Sequence, residues 1–567
     1  MRAADQGLRQ AASISARNWH RAEQGKQDAA ARLRDRAGRN RAHAAGRQGG
    51  AMNATAKPRA RARQFGTRHA AVTGHHLASR VAMTTLARGG SLADAMIAAS
   101  AMLTVVLPHA TSLGGCAMML AFDARSGQVS ALNGSGTAPA AADRSEFAGR
   151  GNAAIDPRGP RSWVVPGLVA LWAKAHARSG RLAWHTLFAD AAAAARDGIG
   201  FSSELARNLA LAQPDVRRQP GFAEAFQLDG RDRVAGERHR QPALADTLHQ
   251  IAAHGAQAFY RGPIAKALAA FSQAHGGLLC EDDFAGFDAP WSEPVRQRYG
   301  ANEVCVMPPN SVGVLMLAQL ASLHAMPQAT RDDALAAQIT VARELLGPLR
   351  DRVADSSARW PLEIDRNARA ESRAHATPGI SEPGDTAGIV LADAHGNALV
   401  MLQSVFQPFG SGCVDPSTGI LMNNRLHEFS LDPAEHNVLA PGKRPVHTLN
   451  PYIVLRDGRP AWCAVSPGGV SQTTTGVQFL ANVLDERMTL PDAIDAPRWS
   501  QSRDGDLLCE PGFPAAVIDR LEAQGIAVTR DSLHPFYFGS LKAVHVHGDG
   551  MLEASADLRR EANAMVE

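Results

Sequence analysis

The sequence predicts an α+β protein in which helices dominate the first half and short strands the last third. Apolar residues make up 45% of the 567 residues and charged residues 20%, the balance of a folded globular chain. Apolar positions recur at helical spacing before residue 350, whereas short apolar runs separated by turns follow residue 385. No run of about 18 apolar residues occurs, so we expect no membrane-spanning segment.

The first 64 residues differ in composition from the rest of the chain. They carry 15 Lys and Arg against 4 Asp and Glu, whereas the remainder carries 44 against 51. We predict that 1–64 is a disordered basic extension, and without a motif beside it we do not expect it to bind nucleic acid. It lacks the apolar stretch of a signal peptide, and the six cysteines are widely spaced, so we expect a cytoplasmic protein with reduced thiols.

Folded structure is expected from about Ala70. Ser91 and Asp94 form a capping-box pattern ahead of apolar residues at helical spacing, which predicts a helix from Leu92 to Val106. Further predicted helices are 168–177, 187–196, most of 202–275, and 314–323. Strand and turn are predicted for 276–295 and 304–307, a flexible linker for 350–385, and strands for 117–122, 389–392, 398–405, 452–455 and 461–465.

Several common catalytic signatures are absent from the sequence. There is no P-loop, no HExxH, no GxGxxG and no GxSxG. His545 and His547 fall on one face of a predicted strand, an arrangement that could hold a metal ion. Since the sequence shows no third ligand beside them, we interpret this segment as an exposed strand and predict no metal site.

Thr386 stands where a flexible segment enters a predicted strand. A threonine hydroxyl is a weak nucleophile unless a base lies beside it, and a free α-amine on the same residue, with a pKa near 8, supplies that base. Such a threonine must be N-terminal, which requires cleavage of the bond between Asp385 and Thr386. Taken alone, an Asp-Thr pair ahead of a strand is most often just the start of the strand.

A glycine-rich segment, Val465-Ser-Pro-Gly-Gly469, follows another predicted strand. The backbone N–H groups of Gly468 and Gly469 could converge on one point, as an oxyanion hole requires. On its own such a segment is most often a tight turn.

The order and spacing of these segments resemble the gamma-glutamyltransferase (glutathione hydrolase) family of N-terminal nucleophile hydrolases. The resemblance covers roughly residues 68–565. The motifs that carry it in the last third are Asp385-Thr-Ala-Gly388, His395-Gly-Asn397, Phe409-Gly-Ser-Gly412, Gly419-Ile-Leu-Met-Asn-Asn424, Pro441-Gly-Lys-Arg-Pro445, Ser466-Pro-Gly-Gly469, Asp495-Ala-Pro-Arg498, Phe538-Gly-Ser540 and Ala556-Asp557.

The resemblance implies a precursor that cuts itself into a large subunit, 65–385, and a small subunit, 386–567. Together the two subunits would build one four-layer αββα sandwich, and the sequence leaves open whether it forms a homo-oligomer. Thr386 would be the nucleophile, Ser404 would orient it, and Gly468 and Gly469 would form the oxyanion hole. The reaction needs neither a metal nor an organic cofactor.

The substrate pocket departs from the family pattern. The arginine that holds the substrate α-carboxylate is replaced by Ser135, and losing such a charge-assisted pair removes about 1.5–3 kcal/mol. The other positions that the resemblance assigns to substrate binding are Phe406, Arg425, Glu428, His447 and Thr448. These departures are similar to a branch that includes oxamate amidohydrolases and acylases.

We therefore expect a small-molecule amide as substrate, and rank a small anionic amide first. A gamma-glutamyl compound such as glutathione is the second candidate and a bulkier acyl amide the third; hydrolysis and acyl transfer both remain open. A different class is an unprocessed, non-catalytic paralogue that acts as a binding or scaffold protein. Ala387 and Gly388, which replace a Thr-His that often follows the nucleophile, favour that alternative.

Overall fold

The computed structural model describes residues 61–148, 154–326, 330–355, 386–469, 471–501, 507–530 and 535–567. Asp385, most of the predicted linker and residues 1–60 of the predicted extension lie outside these ranges. Arg61 and Arg63 fall within the predicted extension, yet both belong to the compact unit Arg61–Glu567. Arg63 pairs with Glu553 at 2.7 Å. No helix of the described ranges is both long and apolar enough to cross a membrane.

Two seven-stranded antiparallel sheets form the centre of the molecule. The first sheet has the spatial order β1 (Gln64–Gly66), β22 (Leu552–Ala556), β21 (Lys542–Val546), β17 (Arg459–Val465), β16 (Tyr452–Arg456), β11 (Asn302–Val306) and β10 (Val295–Tyr299). The second sheet has the order β23 (Asn563–Val566), β2 (His69–Thr73), β12 (Ala387–Asp393), β13 (Ala398–Ser404), β3 (Cys116–Asp123), β4 (Gln128–Gly134) and β9 (Trp291–Ser292).

Alternate residues of each strand face opposite layers, as the two-residue period of a strand requires. Val390 and Val400 of the second sheet pack against Val465 and Val544 of the first, which makes the space between the sheets one apolar core. The neighbouring residues of each strand point outward and pack against helices. The predicted four-layer αββα sandwich is thereby confirmed.

Helices cover the outer faces of both sheets. Those packed on the second sheet include His76–Ala87, Leu92–Val106, Leu168–Ser179, Ala189–Asp197, Pro242–His254, Gln257–Tyr260 and Pro263–Ala274. Those packed on the first sheet include Gly313–His324, Arg331–Arg350, Ser471–Leu480 and Leu490–Asp495.

Smaller elements complete the described structure. They are the helices Arg144–Ala148, Ser203–Leu211, Pro214–Arg217, Phe222–Phe226, Glu281–Ala285 and Ala515–Ala523, the 3-10 turns Pro160–Ser162, Trp184–Phe188, Arg425–Glu428 and Pro535–Phe538, and the π-helical turn Ala481–Asp485. Short strands are β5 (Ile199–Gly200), β6 (Gln227–Leu228), β7 (Arg231–Asp232), β8 (Arg238–His239), β14 (Val414–Asp415), β15 (Ile420–Leu421), β18 (Trp499–Gln501), β19 (Leu507–Cys509) and β20 (Val528–Arg530).

The helix Leu92–Val106 has the predicted bounds. The Asp94 backbone N–H donates to Ser91 Oγ at 3.1 Å, and the Ser91 N–H donates to an Asp94 carboxylate oxygen at 2.9 Å, so the predicted capping box is present. All fifteen residues are buried. A helix that is apolar on every side belongs in the interior, and here it separates the second sheet from the outer helices.

The strand-and-turn prediction for 276–295 is wrong in its central part, where Glu281–Ala285 is a helix. Three consecutive acidic residues occupy its first turn, and carboxylates are favoured there because the N-terminal end of a helix carries partial positive charge. The Cys280 N–H donates to the Asp283 carboxylate at 2.9 Å, which completes the start of the helix.

A buried ion pair joins the end of the chain to the first sheet. Arg498 and Asp557 are both nearly inaccessible to solvent and their side chains meet at 2.7 Å. Asp557 also accepts hydrogen bonds from the Leu541 N–H at 3.0 Å and the Arg559 N–H at 2.9 Å. Burial raises the pKa of Asp557, but the charges of Arg498 and Arg559 and these hydrogen bonds outweigh it and lower the pKa to about 2.

Replacing Asp557 by Asn should therefore destabilise the protein in a pH-dependent way. Because the folded pKa lies below the unfolded value of about 3.9, the carboxylate stabilises the fold at neutral pH, and this contribution disappears as the pH falls from about 5 to about 2. Asp557→Asn should lower the free energy of unfolding by about 3–5 kcal/mol at pH 7, since Arg498 is left without its counter-charge. Urea unfolding across this pH range measures both effects.

The exposed Asp519 on the helix Ala515–Ala523 provides a matched control. Asp519→Asn should leave the urea midpoint nearly unchanged. Equal midpoints for Asp557→Asn and the native protein at pH 7 would contradict the stabilising role of the ion pair.

Candidate active site

Thr386 directly precedes β12, a central strand of the second sheet, and only 6% of it is exposed. In the β12–β13 ladder Ala387 pairs with Gln403, so the same register places Thr386 opposite Ser404. Ser404 in turn pairs with Cys116 of β3. The predicted nucleophile and the residue predicted to support it are therefore neighbours at one end of the sheet.

The backbone that follows Ser404 turns sharply. The Phe406 N–H donates to Ser404 Oγ at 2.8 Å, which fixes the position of the hydroxyl oxygen. Phe406 has a φ of 87°, a conformation that residues with a Cβ rarely adopt. This turn directs the chain away from the sheet and places the Phe406 ring beside the predicted pocket.

The loop that contains Gly468 and Gly469 lies against the start of β12. A Cβ added to Gly388 would lie 2.6 Å from Val465 Cγ2 and 3.4 Å from Pro467 Cγ. Any larger residue at position 388 would push this loop away from Thr386. The glycine that departs from the family pattern therefore has a packing reason in this chain.

A second layer of residues supports the same loop. The Ser540 N–H donates to the Pro467 carbonyl at 2.8 Å, and a Cβ on Gly468 would lie 2.7 Å from Gly539 Cα. Arg498 donates to the Phe538 carbonyl at 2.8 Å while it pairs with Asp557. The three C-terminal motifs noted in the sequence thus converge on the glycine loop.

Arg425 is the most unusual charge in the site. It is 1% exposed, its guanidinium carbon lies 3.9 Å from the centre of the Phe406 ring, and neither Nη atom has a hydrogen-bond partner among the described residues. Burial lowers the pKa of Arg425 to about 10 against the opposing attraction of Glu428. Burying a cation whose Nη donors lack partners costs free energy, and a bound anion would offset that cost.

His447 lies near Arg425. It is fully buried, its Nδ1 accepts from the Leu449 N–H at 3.3 Å, and its Nε2 has no partner among the residues that the structure describes. Burial and then the charge of Arg425 lower the pKa of His447 well below its ordinary value. The imidazole is therefore neutral, with Nδ1 as acceptor and an Nε2–H donor left over.

Two other predicted pocket residues, Glu428 and Thr448, are largely enclosed by the protein. Glu428 lies 3.2 Å from Arg350 of the helix Arg331–Arg350, with a side chain only 5% exposed. Thr448, next to His447, is buried at 2% exposure. The Glu428 carboxylate, which was predicted to bind substrate, is thus paired with a residue of the protein itself.

Ser135 belongs to a closed polar cluster with Asn133 and Asn310. Its hydroxyl donates to Asn133 Oδ1 at 2.6 Å and accepts from Asn310 Nδ2 at 3.2 Å, while Asn133 Nδ2 donates to Asn310 Oδ1 at 2.9 Å. The Asn310 carbonyl accepts from the His447 N–H at 2.8 Å. The cluster holds the His447 segment in place. The pairing of Asn133 with Asn310 was not predicted from the sequence, because the two residues are 177 positions apart.

These contacts connect most of the predicted site. Thr386, Ser404 and Phe406 follow one another at the sheet end, and Arg425 lies against the Phe406 ring. His447 is close enough to Arg425 for that charge to lower its pKa, and the glycine loop packs against Gly388 of β12. Asp385, the residue before the predicted cleavage point, lies outside the described residues.

Comparison with known proteins agrees with this geometry. The family model described as gamma-glutamyltranspeptidase matches residues 78–567. The oxamate amidohydrolase proenzyme of Klebsiella pneumoniae is 34% identical over 519 residues, which cover 87% of this chain and 97% of that protein. The glutathione hydrolase-like YwrD proenzyme of Bacillus subtilis is 33% identical, over 88% of this chain and 99% of that protein.

A solved structure shows the same architecture. The cephalosporin acylase from Bacillus halodurans superimposes with a TM-score of 0.83 at 28% identity, over 92% of this chain and 99% of that one. With its stacked sheets and the matched family model, the chain belongs to the gamma-glutamyltranspeptidase family of self-processing amide hydrolases and has the N-terminal nucleophile hydrolase fold.

Proposed function

We propose that the protein is an N-terminal threonine amidohydrolase that cuts itself before Thr386 and then hydrolyses a small amide carrying a negative charge. The observation that carries this proposal is the buried Arg425, whose Nη atoms have no partner among the described residues, beside the neutral His447. An anionic substrate would supply the missing acceptors, and a carboxylate can accept both Nη donors at once.

The chemistry follows from the positions around Thr386. Its hydroxyl oxygen attacks the substrate carbonyl carbon while its α-amine takes the hydroxyl proton. The N–H groups of Gly468 and Gly469 stabilise the negative charge on the tetrahedral oxygen, and Ser404 orients the nucleophile. The C–N bond then breaks, the proton passes to the leaving amine or ammonia, and the acyl group remains as a threonyl ester.

Water completes the cycle. The α-amine removes a proton from a water molecule, the resulting hydroxide equivalent attacks the ester, and Thr386 is released together with a carboxylic acid. Maturation uses the same hydroxyl. It attacks the Asp385 carbonyl, and the C–N bond between Asp385 and Thr386 breaks, which frees the α-amine and leaves an ester. Water then hydrolyses this ester and releases the Asp385 carboxylate.

The pocket favours a small anionic amide over a gamma-glutamyl group. Ser135 stands where an arginine would hold the α-carboxylate, and its hydroxyl is already engaged by Asn133 and Asn310. Glu428, the candidate partner for the α-amino group, is paired with Arg350. Oxamate, for which the Klebsiella relative is named, has an amide bonded directly to a carboxylate and fits this charge pattern.

The alternative of a non-catalytic paralogue has lost its main support. It rested on Ala387 and Gly388, but Gly388 is required by the close approach of Val465 and Pro467 to β12. One observation favours the glutathione hydrolase alternative, namely that Glu428 supplies an acidic charge at the position expected to bind the α-amino group.

Self-cleavage should be visible on a denaturing gel of the purified protein. Two fragments are expected, the smaller corresponding to 386–567, and mass spectrometry should find Thr386 at its N-terminus. Thr386→Ala should leave a single intact chain, because the attacking hydroxyl is gone. Thr529→Ala, at an exposed position on β20, is the control and should process normally. An intact chain in the native protein would contradict the proposal.

Arg425→Met should reduce kcat/KM for oxamate, measured by ammonia release, by about 10- to 150-fold, since a charge-assisted hydrogen bond is worth about 1.5–3 kcal/mol. The melting temperature without substrate should stay level or rise, because an uncompensated buried charge is replaced by an apolar side chain of similar length.

Arg459→Gln, at an exposed position, serves as the control and should change neither quantity. A fall in melting temperature without a kinetic effect would make Arg425 a structural residue instead. Glutamate release from glutathione at a higher kcat/KM than ammonia release from oxamate would overturn the substrate ranking in favour of glutathione hydrolysis.

A further inference from the structure

A cluster of metal-ligating side chains lies on the hairpin of β21 and β22, away from Thr386. Among the described residues, His545, His547 and Glu553 each offer a donor atom, and these atoms all lie within 4.8 Å of one another. His545 and Glu553 are direct partners in the β21–β22 ladder. The hairpin belongs to the first sheet, whereas Thr386 directly precedes β12 of the second sheet.

The sequence predicted an exposed strand here, with no third ligand. The two histidines do share one face, but their side chains are only 22% and 27% exposed, and Glu553 is 1% exposed. The third ligand was missed because it comes from the neighbouring strand, and only the strand pairing brings it beside His545.

The surrounding residues hold the cluster in position. The His545 ring stacks on Trp462 with 3.7 Å between ring centres and 5° between planes, which restricts its rotation. His547 is anchored by its N–H, which donates to the Met551 carbonyl at 2.9 Å across the hairpin. The backbone bond fixes the main chain at His547, and the two imidazole ring centres lie 4.0 Å apart.

The distances suit a transition-metal ion. His547 Nε2 lies 3.3 Å and His545 Nδ1 lies 3.9 Å from the same Glu553 oxygen, Oε2. Ligands placed about 2.0–2.2 Å from a tetrahedral zinc ion are roughly 3.4 Å from each other. Small side-chain rotations would therefore complete three of the four zinc positions.

Glu553 is shared with a second partner. Arg63 donates from Nε to Oε1 at 2.7 Å and from a terminal nitrogen to Oε2 at 2.8 Å. The Arg63 side chain is 41% exposed, so its guanidinium can remain hydrated when an ion takes its place at Oε2. The contact with Oε1 can remain, in the manner of the groups that orient a metal-binding carboxylate from behind.

We propose that His545, His547 and Glu553 form a zinc-binding site with water in the fourth position. Two imidazoles and one carboxylate are a ligand set that zinc accepts, whereas magnesium and calcium prefer oxygen ligands alone. The ion would join β21 to β22 and stabilise the hairpin. This site does not depend on the proposed hydrolysis, because none of its ligands contributes to the active site.

Isothermal titration calorimetry with zinc chloride tests the proposal. It uses the purified protein as isolated, and magnesium chloride is titrated in parallel. One zinc ion per chain is expected to bind, without competition from magnesium. His545→Gln and His547→Gln should each weaken the affinity at least tenfold. His395→Gln, in the exposed turn between β12 and β13, is the matched control and should bind zinc like the native protein.

His547 lies in the hairpin turn, so its variant should keep the native fold even if His545→Gln disturbs the stacking on Trp462. An unchanged melting temperature of metal-free His547→Gln confirms this. The expected zinc effect is a rise in the melting temperature of the native protein that His547→Gln does not show. No zinc binding by the native protein would overturn the proposal, and so would a zinc affinity of both histidine variants equal to that of the native protein. The second result would place the ion elsewhere, for example in residues 1–60.

Discussion

The pairing of β12 with β13 sets the position of every group around Thr386. It places Thr386 opposite Ser404, and the turn after Ser404 then carries Phe406 towards Arg425. A slip of one residue in this ladder would turn Thr386 to the opposite face of the sheet and away from the glycine loop. The apolar core between the sheets resists such a slip, because Val390 and its neighbours would lose their burial.

Two buried arginines in this molecule illustrate opposite uses of charge. Arg498 has its counter-charge in Asp557 and donates to backbone carbonyls of the supporting loop, so its charge is neutralised inside the protein. Arg425 keeps its Nη donors without partners among the described residues and lies against an aromatic ring. The first arrangement stabilises the structure, whereas the second has a cost in stability that the proposed anionic ligand would offset.

The sequence predicted best what depends on local patterns. The helix Leu92–Val106 and its capping box were correct to the residue, because spacing and caps are local properties. The strands predicted at 117–122, 389–392, 398–405, 452–455 and 461–465 agree with the structure within two residues at each end. The ordered motifs predicted the sandwich. What the sequence missed depends on residues far apart in the chain: Asn133 with Asn310, and Glu553 beside His545. Such partners become visible only when the strands are paired.

The order of strands has one more consequence. In the second sheet β2 and β3 precede the proposed cut and β12, β13 and β23 follow it, so the two proposed products would alternate within one sheet. The Glu567 carbonyl even accepts from the Thr67 N–H at 2.9 Å. Neither product could keep its edges paired alone, and separation would amount to unfolding. The strands would therefore pair while the chain is still intact, and the proposed cleavage would follow folding. Two fragments produced separately would have to form the same interleaved sheet as two molecules. Their unpaired strand edges would favour aggregation instead.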